Sequence, residues 1–100
     1  MTTIERIILA SPRAELTATQ RDAVAEAGRV ALSAIPGVEA VSFGVAVAAE
    51  EPYPWYVRIR FRDEPARQAF DSHPAHLDFV FQQWVPSLIE YSVRDYRLSY

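Results

Sequence analysis

Hydrophobic and polar positions change period several times along the chain, and each change marks an element. Thr3 to Ala10 is rich in isoleucine and alternates, with Arg6, Ile8 and Ala10 on one face and Ile7 and Leu9 on the other, which predicts a first strand. Thr17, with Gln20 three residues later, fits a capping box and opens a helix. Val24, Ala27, Ala31 and Ile35 recur at helical spacing there, while Arg21, Asp22, Glu26 and Arg29 face water, and Pro36-Gly37 ends the element. Val38 to Val47 predicts a second strand with large Val41, Phe43, Val45 and Val47 opposite small Ala40, Ser42, Gly44 and Ala46. The link Ala48 to Pro54 is long for a hairpin and reads as a mobile lip. Trp55 to Arg62 alternates Trp55, Val57, Ile59 and Phe61 against Tyr56, Arg58, Arg60 and Arg62, the pattern of a half-buried third strand.

Asp63 caps a short helix reaching about Asp71, with Pro65 tolerated in its first turn. The residue before a proline avoids the helical region, so His73 is expected to be extended, Pro74 to begin a further helix, and His76 to fall in its first turn. His76, Phe79, Val80, Gln83 and Trp84 then share a face. Pro86 removes a backbone donor and is expected to bend this helix, after which Tyr91 to Tyr100 forms the last strand.

This order predicts an α+β fold, a ferredoxin-like βαββαβ sandwich with a four-stranded antiparallel sheet covered by helices on one face, spanning residues 1–100 as a single domain. The other face, carrying Ile7, Leu9, Tyr56, Tyr96 and Leu98, holds too much apolar surface to leave in water. A homodimer is therefore expected, two sheets packing face to face as a dimeric α+β barrel.

Half of the 100 residues are hydrophobic, enough for one compact core, and the net charge of −3 comes from interspersed rather than blocked charges. A nucleic-acid partner is not expected from that distribution, nor a membrane span from runs this short, and a cytoplasmic location is the default expectation. Cysteine is absent, which removes disulfides and thiolate chemistry; lysine is absent too, which rules out a Schiff base and makes every fixed side-chain cation an arginine.

Candidate chemistry gathers at His73-Pro74-Ala75-His76, which holds both histidines of the chain. A ring at a helix amino terminus near a carboxylate is pulled in opposite directions, which can leave it a base near neutral pH; the structural alternative is a ring that packs or caps its helix. His73, extended before a proline, is expected to serve the turn. No metal is expected, because two histidines three apart need further ligands that the pattern does not bring together. The alternation also sends Arg6 and Asp95 to the helix-covered face, where unpaired charge is costly. They can pair across neighbouring strands, or Asp95 can orient His76 toward a cavity, and both can hold at once. An apolar pocket around His76 would draw on Ile8, Phe43, Trp55, Val57, Phe70, Phe79, Val80 and Trp84, with the aromatic members equally able to serve as core. Arg58, Arg60 and Arg62 read as the solvated or dimer-facing side of their strand.

Four segments carry a family resemblance: Glu5-Arg6-Ile7-Ile8-Leu9, Ile35-Pro36-Gly37-Val38, Ala69-Phe70-Asp71-Ser72-His73-Pro74-Ala75-His76 and Val93-Arg94-Asp95-Tyr96. In them the chain resembles the stress-responsive dimeric α/β-barrel (Dabb) domains, a family that includes plant polyketide cyclases closing linear poly-β-keto thioesters as well as stress-induced proteins with no clear catalysis. The resemblance implies that His76 is the base and Asp95 the residue that orients it. It also shows departures: Phe70 stands where the cyclases have a tyrosine, and Arg6 and Trp55 stand where they have other pocket histidines. The expected function is a cofactor-free cyclase or related carbon-acid enzyme, closing rings by intramolecular aldol or Claisen-type condensation of a polyketide-like or other carbonyl-rich small molecule, with a polyketide synthase as the expected supplier. His76 would remove a proton alpha to a carbonyl, and Arg6 would stabilise the negative charge. The competing expectations are a non-catalytic ligand-binding or stress-related dimer and a cofactor-independent oxygenase.

Overall fold

The computed structural model describes residues 2–99. The period-2 segments become strands β1 (Ile4–Pro12), β2 (Val38–Val45), β3 (Trp55–Phe61) and β4 (Leu88–Arg97), joined antiparallel in the order β2-β3-β1-β4. The register sets Arg6 opposite Ile59 on one side and Asp95 on the other, with Ile8 between Val57 and Val93. Helices α1 (Ala18–Ser33), α2 (Glu64–Asp71) and α3 (Pro74–Phe79) complete the ferredoxin-like α+β order. Among the described residues no helix is long and apolar enough to cross a membrane.

The expected caps form. Thr17 accepts from the Gln20 amide while the Gln20 side chain accepts from the Thr17 amide, and the Asp63 carboxylate accepts from the Ala66 amide. The α1 stripe differs from expectation by one position. Gly28 and Leu32 are its buried residues and Ala31 is only half-buried, because Phe43 and Phe79 press on the helix where a side chain at position 28 would stand. A Cβ there would lie 2.6 Å from the Phe79 ring and 2.7 Å from the Phe43 ring, so glycine permits the close approach. Gly37 has φ of +88° and turns the chain into β2.

Three boundaries move. β1 runs on to Pro12 because β4 continues to pair with it past a register shift. β2 stops at Val45 rather than Val47, since its partner β3 starts at Trp55; Val45, on the face of large side chains, is 53% exposed at this corner beyond the helix cover. β4 begins at Leu88, three residues before the expected start, and Tyr100, the expected end, lies outside the described residues.

Pro86 explains the early start. Without an N–H it cannot continue the α-helical ladder, and the chain after α3 widens into a π-helical turn, Val80–Trp84, in which the Val85 amide donates to the Val80 carbonyl. It then tightens into a 3-10 turn, Val85–Ser87, closed by the Leu88 amide on the Val85 carbonyl. Ser87 Oγ donates to the Gln83 carbonyl at 2.6 Å, satisfying that acceptor where the α-helical ladder gives out. The expected bend is thus a change of helical pitch.

The core lies between the helices and one sheet face: Phe61, Phe70, Ile59 and Val57 are its largest fully buried side chains. Among the described residues nothing covers the opposite face. Leu9, Tyr56 and Tyr96 are exposed there, beside Arg58, Arg60 and Arg94, with Glu5 pairing to Arg60 at 3.2 Å.

Candidate functional site

α2, the His73 turn and α3 place the central groups. His73 is extended (φ −69°, ψ 133°), and its Nδ1 accepts from the Ala75 amide at 3.1 Å, so it caps α3 as the turn reading expects. One turn on, His76 Nδ1 lies 3.3 Å from the backbone carbonyl of Asp71. A carbonyl only accepts, so Nδ1 carries the proton and Nε2 keeps its lone pair. The ring leans on Phe70 with centroids 4.3 Å apart. The expectation that Asp95 orients His76 is therefore corrected: the backbone of Asp71 does so, and Asp95 is engaged elsewhere.

Asp95 meets Arg6, its cross-strand neighbour. Arg6 Nε donates to Asp95 Oδ1 at 2.7 Å and Nη2 to Asp95 Oδ2 at 2.9 Å, a bidentate pair. The same guanidinium reaches α2, with Nη1 donating to Asp71 Oδ1 at 2.8 Å and Nη2 to Asp71 Oδ2 at 3.3 Å. Arg67 closes the network, donating to Asp71 Oδ2 at 3.0 Å and lying 3.6 Å from Asp95 Oδ2, while Glu64 holds it from the other side. The Arg6 side chain is only 8% exposed and rests against the rings of Phe61 and Phe70. Burial works against its charge, but the hydrogen bonds it donates to Asp95 and Asp71, with their charges, outweigh it and hold its pKa above the ordinary arginine value.

Asp71 and Arg67 are the members sequence reading missed. Glu64, Arg67 and Asp71 follow at i, i+3 and i+7, which locally is an ordinary solvated helix ladder. Only the tertiary packing of α2 against β3 and α3 brings it to Arg6.

Arg6 and His76 stand in the wall of a cavity of about 170 Å³ between helices and sheet. Of the expected lining, Ile8, Phe43, Val57, Phe79, Val80 and Trp84 reach it. Trp55 and Phe70 do not, which corrects both assignments: Trp55 stacks behind Trp84 at 5.3 Å, and Phe70 supports the His76 ring from below. Leu32, Ile59, Tyr91 and Val93 line it as well. The alternation that sends Arg6 and Asp95 to this face carries Ile59 and Val93 with them through the strand register, and one step further it includes Tyr91; Leu32 belongs to the stripe that Gly28 displaced. Tyr91 and Val93 are partly exposed and mark the side where the cavity meets the surface along β4.

Burial pushes the His76 pKa down; the Asp71 carbonyl and carboxylate oppose this, while Arg6 and His73 add to it, and the result lies below the ordinary histidine value of about 6.5. The folded protein therefore takes up this proton at lower pH than the unfolded chain. The contribution to stability is complete above about pH 6.5 and is lost as pH falls through the lower, folded value. Urea unfolding between pH 7 and 5 should show a steeper loss for wild type than for His76→Gln. Parallel curves would mean that the ring is not held neutral by burial.

The sequence matches the Stress Responsive A/B Barrel Domain over residues 4–98. The chain belongs to the Dabb family. No curated protein matches it. Among solved structures it is similar to a Dabb protein with a ferredoxin-like fold from Mesorhizobium loti, at 22% identity and TM-score 0.84, with 96% of each chain covered. It is similar to a dimeric ferredoxin-like protein of unknown function from Thermobifida fusca, at 24% identity and TM-score 0.84, covering 97% of this Dabb chain and 92% of that one. A hydroxynitrile lyase from Passiflora edulis superposes with TM-score 0.86 at 14% identity, covering 97% and 94%. At these identities the structural likeness establishes the shared fold.

Proposed function

We propose that this Dabb protein is a cofactor-free acid–base enzyme for an apolar carbonyl compound, in which His76 removes a proton alpha to the carbonyl. The observation that carries this reading is the His76 ring itself: its Nδ1 is tied to a backbone carbonyl, and its remaining nitrogen is a neutral base beside an apolar cavity. In the step, the carbon–hydrogen pair of electrons moves into the carbonyl to form an enolate, and Nε2 takes the proton. Arg6 has one N–H, on Nη1, not committed to Asp71 or Asp95; this donor meets the oxygen on which charge develops, and the proton gained by Nε2 offsets that charge. Ring closure of a poly-β-keto compound, including one made by a polyketide synthase, would use the same first step. That a hydroxynitrile lyase shares the fold supports acid–base use of this scaffold.

A second reading, a ligand-binding dimer without catalysis, is favoured by one observation: both oxygens of Asp95 are held by Arg6, so Asp95 does not back an imidazolium at His76. Exchange of alpha hydrogens for deuterium in acetophenone, followed by NMR in D₂O, separates the two without knowledge of the final product. Catalysed exchange supports the enzyme; binding without exchange supports the ligand carrier.

The bare sheet face supports a homodimer, as does the dimeric state of the Thermobifida relative. Sedimentation at micromolar concentration should give twice the chain mass. Leu9→Arg, which adds a cation to a face already carrying Arg58 and Arg94, should shift it to monomer; a monomeric wild type would remove the dimer from this account.

A further inference from the structure

A cavity of about 170 Å³ has the size of the engineered cavity of about 150 Å³ that takes up benzene, so its buried part suits one ring rather than an extended chain. Its lining residues are apolar apart from His76, Tyr91, Arg6 and the indole N–H of Trp84. Arg6 looks like an anchor for an acidic ligand, but its donors are taken. Four contacts to Asp71 and Asp95 leave one of the five guanidinium N–H groups, on Nη1. Two carboxylates stand against this one cation, and the second cation, Arg67, is shared with Glu64. A carboxylate ligand entering from the cavity would meet a neutralised guanidinium backed by negative charge. It would lose the hydration of a full charge and gain no net positive charge to offset it. A ketone or phenol needs only the one remaining donor or His76.

We infer that Asp71 is a specificity determinant: together with Asp95 it masks Arg6 and reserves the cavity for uncharged, single-ring ligands, and removing its charge opens the cavity to carboxylates. The inference rests on the reading of this cavity as a ligand site, and not on catalysis at His76. Asp71 fits the part because its side chain is 41% exposed, so neutralising it alters charge more than packing. Its backbone carbonyl, which holds His76, is untouched by the substitution.

The test compares two probes of one shape, acetophenone and benzoate, by chemical-shift perturbation of the Val57 and Val80 methyl groups, which line the cavity, in the full chain at pH 7.5. Wild type should bind acetophenone at least about tenfold more tightly than benzoate. Asp71→Asn should tighten benzoate at least about tenfold while moving acetophenone by less than about threefold. Asp95→Asn should shift the ratio in the same direction, and melting curves establish that both variants are folded. Equal affinities in wild type, an unchanged ratio in both variants, or no response of the cavity methyls to either probe would each overturn the inference. Acetophenone binding without hydrogen exchange would leave it standing and remove only the catalytic role of His76.

Discussion

His76→Ala slows deuterium exchange at the acetophenone methyl group by about 10²- to 10⁴-fold, the range ordinarily supplied by a positioned general base. The large effect follows from the poverty of the site: among the cavity-lining groups, His76 is the one base left neutral, since Arg6 is held protonated and the nearby carboxylates are engaged by arginines. The fold should survive, because the ring is half-buried and Phe70 beneath it is fixed independently by Phe61 at 4.9 Å. Exchange in wild type should rise with pH through the lowered histidine pKa and level off by neutrality, and the variant should lack that rise. Exchange that is equally fast in His76→Ala, with matching melting curves, would assign the proton transfer to something else.

Arg6→Met lowers stability by about 3 kcal/mol, the lower end of what removing one partner of a buried ion pair costs. On a domain of this size that is a melting-temperature drop on the order of 10–20 °C. The methionine replaces most of the packing against Phe61 and Phe70, so the loss comes from the two carboxylates left behind. Their partial exposure, 41% for Asp71 and 28% for Asp95, lets water recover part of it, which is why the lower end applies. The decisive comparison is Arg6→Met with Asp71→Asn and Asp95→Asn together, which should regain most of the lost melting temperature. A triple variant no more stable than the single one would show that packing, and not stranded charge, sets the cost.

Local signals account for most of what the sequence revealed. The Thr17 and Asp63 caps, the His73-Pro74 turn and the alternation in β3 are decided by neighbours within a few residues, and all appear in the fold. Arg6 and Asp95 were legible as inward charges, and strand order made them a pair. What could not be read was the competition for each partner. Asp95 is bound by Arg6, while His76 is turned by a backbone carbonyl, a group that every residue carries and no pattern marks. Trp55 and Phe70 face the correct side but stand one layer back, because alternation fixes the direction of a side chain and says nothing of depth. Leu32 was missed because the residue that orders the α1 stripe is a glycine, which contributes no hydrophobicity to the count.

The π-helical turn at Val80–Trp84 holds one residue more than an α-helical turn requires, since the Val85 amide reaches back to the Val80 carbonyl. Val80 and Trp84, four residues apart, look inward as they would in an α-helix, and the surplus is taken up among the exposed Phe81, Gln82 and Gln83. Excising any one of these three would let the backbone relax to the narrower coil and leave Val80 and Trp84 three apart, still on one face. A single deletion in this segment is therefore the change of chain length that the distal wall should bear best.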